Sequence, residues 1–375
     1  MRMAEPKQGL VAKKISSENG SIGSVPRTVA GGRYEVRELL GSGSFGAVHR
    51  GVDKKTGAEV ALKFESVRTG MLEGEAAVLR GLQRSAGSGF VRMHFIGVAD
   101  SIRCMVTDLL EGDLEDRLTA SGGTFNVQTT VLLADQILSS MEYLHSVGFV
   151  HRDIKPENVM CGTKGRQHHV YLIDFGLADR YFARRRHAPM RHCAFKGTVR
   201  YASVNAMRCV SQSRRDDLEA VGYMFVYFLR GVLPWSGLPA RDSEDRFRQV
   251  REKKARMDMR ELCDGLPLAI EQYLTYCRRM EYEERPNYVM LRKLFGDLRQ
   301  SIADQSGRAL DDHELEWIGQ PLTDTVPLDL GENVFQPDDE YRMRRGLGLA
   351  RLCGRGMVSA PESAKALRGS LASAL

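Results

Sequence analysis

Residues 34–40 (Tyr-Glu-Val-Arg-Glu-Leu-Leu) alternate apolar and polar side chains, the period of a half-buried strand. A glycine-rich turn follows at Gly41–Gly46. The run Ala47–Val52 then leads through a second turn, Asp53–Gly57, into Ala58–Phe64. This pattern predicts three short strands joined by hairpins. Met71, Glu75, Val78, Leu79 and Leu82 fall at helical spacing within 70–83, and strand-like runs occupy 91–98 and 102–109. The sum is a five-stranded antiparallel sheet with one helix, a small lobe over 33–108.

After Asp113 the period becomes helical. Within 127–145, Val131, Leu132, Gln136, Ile137, Met141 and Leu144 lie near one face, with Asn126 placed to cap the N-terminus. Residues 216–230 are apolar almost all round (Leu218, Val221, Met224, Phe225, Phe228), which suits a helix in the middle of a large core. Amphipathic segments at 266–280 and 286–298 complete a larger helical region over 113–300. Residues 1–32 lack apolar periodicity and read as a flexible extension. Periodicity fades again beyond 301, so 301–375 is expected to be largely irregular, with at most a transient helix capped by Ser359 and Glu362.

Composition narrows the class. The chain has 375 residues, 42% hydrophobic and 27% charged, enough apolar material to exclude widespread disorder. Its most apolar stretch, Val221–Leu229, is far short of the ~18 residues a membrane helix needs. Seven scattered cysteines without a CxxC pair fit reduced thiols, hence the cytosol or nucleus. Glu5 and Glu18 count against a transit peptide, and Ser373-Ala374-Leu375 lacks the basic residue of a peroxisomal address. The net charge of +6 says little by itself.

The chemistry begins at Gly41-x-Gly43-x-x-Gly46. Glycines let a backbone approach phosphates closely. A dinucleotide-binding fold would place a helix after them. Here a strand follows, so the glycines cap a β-hairpin that covers a nucleotide. Lys63, on the third strand, falls under that flap, where an ammonium can hold phosphate oxygens. It needs an anionic partner; Glu75 is the candidate and Glu73 its competitor. In His151-Arg-Asp-Ile-Lys-Pro-Glu-Asn158, Asp153 can accept a hydroxyl proton and Lys155 can offset charge on a moving phosphoryl group. Asn158 offers an oxygen to Mg²⁺, and Asp174 of Asp174-Phe-Gly176 is the natural second metal ligand.

These motifs, in this order, resemble a eukaryotic protein kinase over residues 33–299. Within that family Gly197-Thr-Val-Arg-Tyr-Ala-Ser-Val-Asn205, Gln212-Ser-Arg-Arg-Asp-Asp-Leu-Glu219, Leu233-Pro-Trp235 and Arg285-Pro-Asn-Tyr288 are similar to the casein kinase I group. The Thr198-Val199 pair is also similar to the tau-tubulin kinases. The resemblance implies an α+β bilobal fold and serine/threonine kinase activity with ATP and Mg²⁺, in a monomer. ATP is expected against Leu40, Gly41, Ser42, Gly43, Ser44, Phe45, Gly46, Ala47, Val48, Ala61 and Lys63. Its adenine should meet the backbone between Asp108 and Leu110, with Thr107 at the back of the pocket. Catalysis is expected from Asp153, Lys155, Asn158, Lys63 and Glu75. An anion site at Arg200, Gly237 and Arg246 is implied for acidic or phosphorylated protein substrates.

Two features depart from the group. The usual basic run is replaced by Ser243-Glu-Asp-Arg246, and Phe182–Lys196 differs in detail. Nine cationic or potentially cationic side chains lie between Arg180 and Arg200 with no carboxylate. They form either a solvated face or an anion site; without interleaved aromatics they do not suit nucleic acid. Asn205 cannot ion-pair with Arg285, so another contact must anchor the segment, and activity without an activating phosphate is expected. The rival reading, a scaffold without catalysis, predicts loss of Lys63, Asp153, Asn158 or Asp174, and all four are present.

Overall fold

The computed structural model describes residues 25–43, 46–84, 89–99, 101–183 and 185–319. The small lobe contains β1 (Thr28–Val29), β2 (Tyr34–Gly43), β3 (Gly46–Asp53), β4 (Glu59–Ser66), helix α1 (Met71–Leu82), β5 (Met93–Ala99) and β6 (Ile102–Asp108). The sheet order is β1-β2-β3-β4-β6-β5. It therefore has six strands rather than five. The extra one comes from the expected N-terminal extension, where Val29 pairs with Tyr34 and is buried.

Alternation on β4 orients the lobe. Val60, Leu62 and Phe64 are buried in a cluster with Tyr34, Cys104 and Val106. The intervening Ala61 and Lys63 consequently leave by the opposite face. Buried Leu72, Ala76 and Leu79 of α1 belong instead to the core that continues into the large lobe.

That lobe begins with α2 (Leu114–Ala120) and α3 (Val127–Ser146), followed by short strands β7 (Phe149–Val150), β8 (Val159–Cys161), β9 (Val170–Leu172), β10 (Asp179–Arg180), β11 (Phe182–Ala183) and β12 (Arg186–His187). Helices α4 (Val204–Met207), α5 (Arg214–Arg230), α6 (Ser243–Arg256), α7 (Met259–Leu262), α8 (Leu268–Arg279) and α9 (Tyr288–Ser306) complete it. Asn126 caps α3 by accepting the Thr129 N–H at 2.7 Å. Residues 218–228 of α5 are all buried, as their unbroken apolar pattern requires. No helix among the described residues is long and apolar enough to cross a membrane.

Ordered structure continues past residue 300, where the sequence pattern placed the end of the helical region. Helix α9 continues to Ser306, and Leu310, Leu315 and Trp317 then join the main core. Trp317 stacks on Phe125 at 5.5 Å and donates its indole N–H to Gln167 O at 3.0 Å. The Glu316 carboxylate accepts the Asn126 N–H at 2.9 Å. Single apolar anchors on a turn-rich segment carry no period, which is why the sequence pattern did not reveal them. Ser359 and Glu362 lie outside the described residues.

Candidate active site

The flap is the β2–β3 hairpin, in register at Gly41↔Val48, Ser42↔Ala47 and Gly43↔Gly46. The β2–β3 register shifts on either side of Leu39, and Leu40 falls within the second shift. Gly46 has φ 151°, and a Cβ there would stand 1.8 Å from Phe64 O, so this position takes only glycine. Ser44 and Phe45 lie outside the described residues. Val48 pairs with Lys63 across β3 and β4, which sets the lysine beneath the hairpin.

Lys63 Nζ lies 2.6 Å from Glu75 Oε2 and 3.4 Å from Asp174 Oδ1. Burial opposes its charge, but the two carboxylates outweigh burial and raise its pKa, so the ammonium persists. Burial pushes Glu75 up and Lys63 opposes that push; the charged pair is the state this geometry favours. Glu73, the competitor, instead binds Arg103 at 3.1 Å.

At the connection between lobes, the Asp108 N–H donates to Arg92 O at 3.1 Å, and Glu111 N–H to Cys161 O at 2.9 Å. Among the described residues nothing engages the Leu109 or Leu110 N–H, so these are the donors within Asp108–Leu110 that a nucleotide base could meet. Asp108 is otherwise occupied: its carboxylate accepts from Arg92 N at 2.7 Å and meets His94 Nε2 at 2.8 Å.

Helix α5 positions the catalytic loop. Asp217 accepts the His151 N–H at 2.7 Å and the Arg152 N–H at 2.8 Å. His145 Nε2 lies 2.9 Å from the same carboxylate, and Tyr288's hydroxyl meets the other ring nitrogen. Burial would raise the Asp217 pKa, but these partners outweigh it and hold the carboxyl below its usual range. Arg152 adopts φ 69°, a strained conformation for a non-glycine residue, fixed by Asp217 and by its own Nε donating to Leu177 O at 2.6 Å. The bend carries the chain to Asp153, which is buried. Asn158 Nδ2 donates to Asp153 O at 2.7 Å, leaving its amide oxygen available to a cation. Lys155 is buried two residues beyond Asp153. Asp174 also adopts a left-handed conformation, φ 60°, while Phe175 packs on His151 at 5.2 Å.

No group of three His, Cys, Asp or Glu residues that could cage a metal occurs among the described residues. Mg²⁺ held by one or two side chains and the phosphates of a nucleotide does not need such a cage. Asn158 and Asp174 fit that arrangement, as the glycine hairpin and Lys63 fit a polyphosphate.

Sequence reasoning missed the devices that hold the substrate-facing segment. Thr198 donates its hydroxyl to Asp153 Oδ1 at 2.7 Å. Ser203 Oγ donates to Asp216 Oδ1 at 2.5 Å, and the Val204 N–H to Glu219 Oε1 at 3.0 Å. Lys254, with no exposed surface, donates to Val199 O at 2.8 Å and Ala202 O at 2.7 Å, over the rings of Tyr223 and Trp235. Burial lowers its pKa well below the usual range, with Glu219 opposing. These contacts supply the anchor that Asn205 cannot; Arg285 is exposed. The available signal was three acids in the first turns of a helix that is otherwise apolar from Leu218 to Leu229, since buried carboxylates need partners.

Arg200 lies on the same segment, its guanidinium 5.9 Å from the Tyr201 ring centroid and 5.6 Å from that of Tyr227. Burial disfavours its charge, but Tyr201, Tyr227 and Glu157 raise its pKa. Trp235 Nε1 donates to Arg200 O at 2.8 Å, tying it to the turn that contains Gly237 (φ 65°). Arg246 stands in the first turns of α6, partly buried. Arg180, Arg185, Arg186 and Arg191 are exposed, and Arg184 lies outside the described residues. A flap over an ion-paired lysine, a buried carboxylate with an adjacent asparagine, and an aspartate facing that lysine form an arrangement suited to phosphoryl transfer from a nucleotide. Residues 34–293 match the family model described as protein kinase domain, and the chain belongs to that family.

Proposed function

We propose that this kinase is of the casein kinase I type and transfers the γ-phosphate of Mg·ATP to serine or threonine in acidic or phosphate-primed proteins. The motif set from Gly197 to Glu219 supports the group. The observation that carries the substrate class is Arg200: a cation held among tyrosine rings, two residues from the Thr198 that touches the base. Arginine forks suit phosphate and carboxylate.

ATP supplies the phosphoryl group, and the side chains position and neutralise. Lys63, fixed by Glu75, holds phosphate oxygens under the flap. Asn158 and Asp174 hold Mg²⁺. Asp153 orients the substrate hydroxyl and takes its proton, with Thr198 keeping the carboxylate in place. Lys155 offsets charge as it shifts.

The test compares kcat/KM on primed and unprimed peptides for wild type, Arg200→Ala and the triple Arg184/Arg185/Arg186→Ala variant. A charge-assisted hydrogen bond of ~1.5–3 kcal/mol should make priming worth about 10- to 150-fold in wild type. Arg200→Ala should remove most of that advantage. The triple variant, which removes the exposed Arg185 and Arg186, should cost only ~0–1 kcal/mol. Priming that gives no advantage, or survives Arg200→Ala intact, would overturn the substrate assignment.

A further inference from the structure

The segment between the catalytic loop and α5 carries two cysteines that neither catalysis nor the anion site uses. A short antiparallel ladder brings them together. His192 bridges Val210, flanked by Ser211 N–H donating to Arg191 O at 2.8 Å and Cys193 N–H donating to Cys209 O at 2.9 Å. Next to that bridge one main-chain hydrogen bond joins Cys193 to Cys209, while the Cys209 N–H turns away to Ala206 O at 3.0 Å. A bond of that kind keeps the two Cα atoms close to the ~5.5 Å of a hydrogen-bonded strand pair, inside the ~4.4–6.8 Å that disulfides span.

The two thiols are unlike. Among the described cysteines only Cys193 is exposed. Arg191 and Lys196 flank it, and Lys196 senses the charge of its sulfur. Positive neighbours favour the reactive thiolate. Burial pushes the Cys104, Cys161 and Cys263 thiols up to about 12, 11 and 12, which makes them poor competitors. Cys209 is buried and sits at φ 58°, a conformation that glycine would adopt without strain.

We propose that Cys193 and Cys209 are an oxidant-responsive pair that a hydroperoxide converts into a disulfide, locking the substrate-facing segment in its productive arrangement. The Cys193 thiolate attacks a peroxide oxygen, the O–O bond breaks, and water or an alcohol leaves a sulfenic acid. The Cys209 thiolate then attacks that sulfur, the S–O bond breaks, and water departs as the S–S bond forms. Two thiols lose two protons and two electrons, and the peroxide accepts both. The closed loop contains Thr198, already on Asp153, and the carbonyls held by Lys254. Oxidation therefore restrains the segment in place.

The full chain, purified reduced, is treated with hydrogen peroxide and analysed by intact mass, non-reducing peptide mapping, amide exchange and peptide turnover. The expected result is a loss of two hydrogens, a Cys193–Cys209 linked peptide reversed by dithiothreitol, and exchange across 194–202 slowed at least about fivefold. Peptide kcat/KM should stay within about twofold, because the bridge constrains an arrangement already formed. Cys193→Ser and Cys209→Gly, the second suited to the positive φ, should both stay active and lose the linked peptide and the protection. Sulfinic acid at Cys193 without a bridge, a bridge to another cysteine, unchanged exchange, or a tenfold fall in turnover on oxidation would each overturn the proposal.

Discussion

Lys254→Met isolates the anchor of the substrate-facing segment. The lysine makes two hydrogen bonds, at 2.8 and 2.7 Å, to Val199 O and Ala202 O. At a net ~0.5–1.5 kcal/mol each, their loss should weaken docking of the segment by about 1–3 kcal/mol. That corresponds to roughly 5- to 150-fold in the docked population, at ~1.4 kcal/mol per factor of ten. Methionine is of similar length and apolar, and its sulfur suits the space between Tyr223 and Trp235. It also removes the cost of burying an amine, so global stability should move by only about 1 kcal/mol. Lys63, Glu75 and Asp174 do not touch Lys254, so ATP affinity should hold. The assay pairs peptide kcat/KM with calorimetric ATP binding and a thermal melt. The expected outcome is at least a tenfold loss of kcat/KM with ATP affinity and melting nearly unchanged. A folded variant with peptide kcat/KM within about twofold of wild type would refute the anchoring role.

Asp153→Asn should preserve the fold and nucleotide binding while reducing turnover by about 10²-fold or more, given the ~10²–10⁴-fold typical of general-base catalysis; wild-type turnover in the folded variant would exclude Asp153 as the base. Burial raises Asp216 from 3.8 to about 7, against the hydrogen bonds from Ser203 and the Ser213 N–H. The folded state thus holds that proton more tightly than the unfolded chain, and the contribution to stability is full below pH 4 and lost as pH rises through 7. Urea midpoints at pH 5 and pH 8 should differ less in Asp216→Asn than in wild type; an equal difference in both proteins would contradict this. Trp317→Ala should destabilise the large lobe by about 3–5 kcal/mol, the cost of deleting a buried indole, and a melt within one degree of wild type would show that the segment after α9 is not part of the core.

Much of the nucleotide site was legible because its residues work at short sequence range. A hairpin fixes its own glycines, a strand's period of two sends Lys63 to the cleft face, and Asp153 and Asn158 share one loop. Glu75 was legible as an acid on the helix that follows the strand of Lys63, and the 2.6 Å contact selects it over Glu73. The adenine side was read only to within three residues. Arg92 O takes the Asp108 N–H and so leaves Leu109 and Leu110; that pairing, between the residue before β5 and the last residue of β6, is one that no local pattern encodes.

The anchors were hidden for the opposite reason. Asp216, Asp217 and Glu219 occupy one stretch of α5 yet serve two loops distant from each other in sequence. Asp217 fixes the backbone ahead of Asp153, whereas Asp216 and Glu219 fix the chain beyond Thr198. Thr198 then closes the circuit onto Asp153. One helix, buried from Arg215 to Phe228, thus holds both Asp153's loop and the segment beyond Thr198 through its own carboxylates, with no added phosphate in the set of contacts. Asn205 loses nothing by being neutral, because Lys254 already satisfies the carbonyls of Val199 and Ala202, Glu219 takes the Val204 N–H, and Asp216 takes the Ser203 hydroxyl. From this follows the expectation of activity in unphosphorylated protein: phosphatase-treated enzyme made in bacteria should phosphorylate peptide at the untreated rate. Strict dependence on a phosphate at Thr198 or Ser203 would contradict it, since both hydroxyls are buried donors in the bonds that hold the site together.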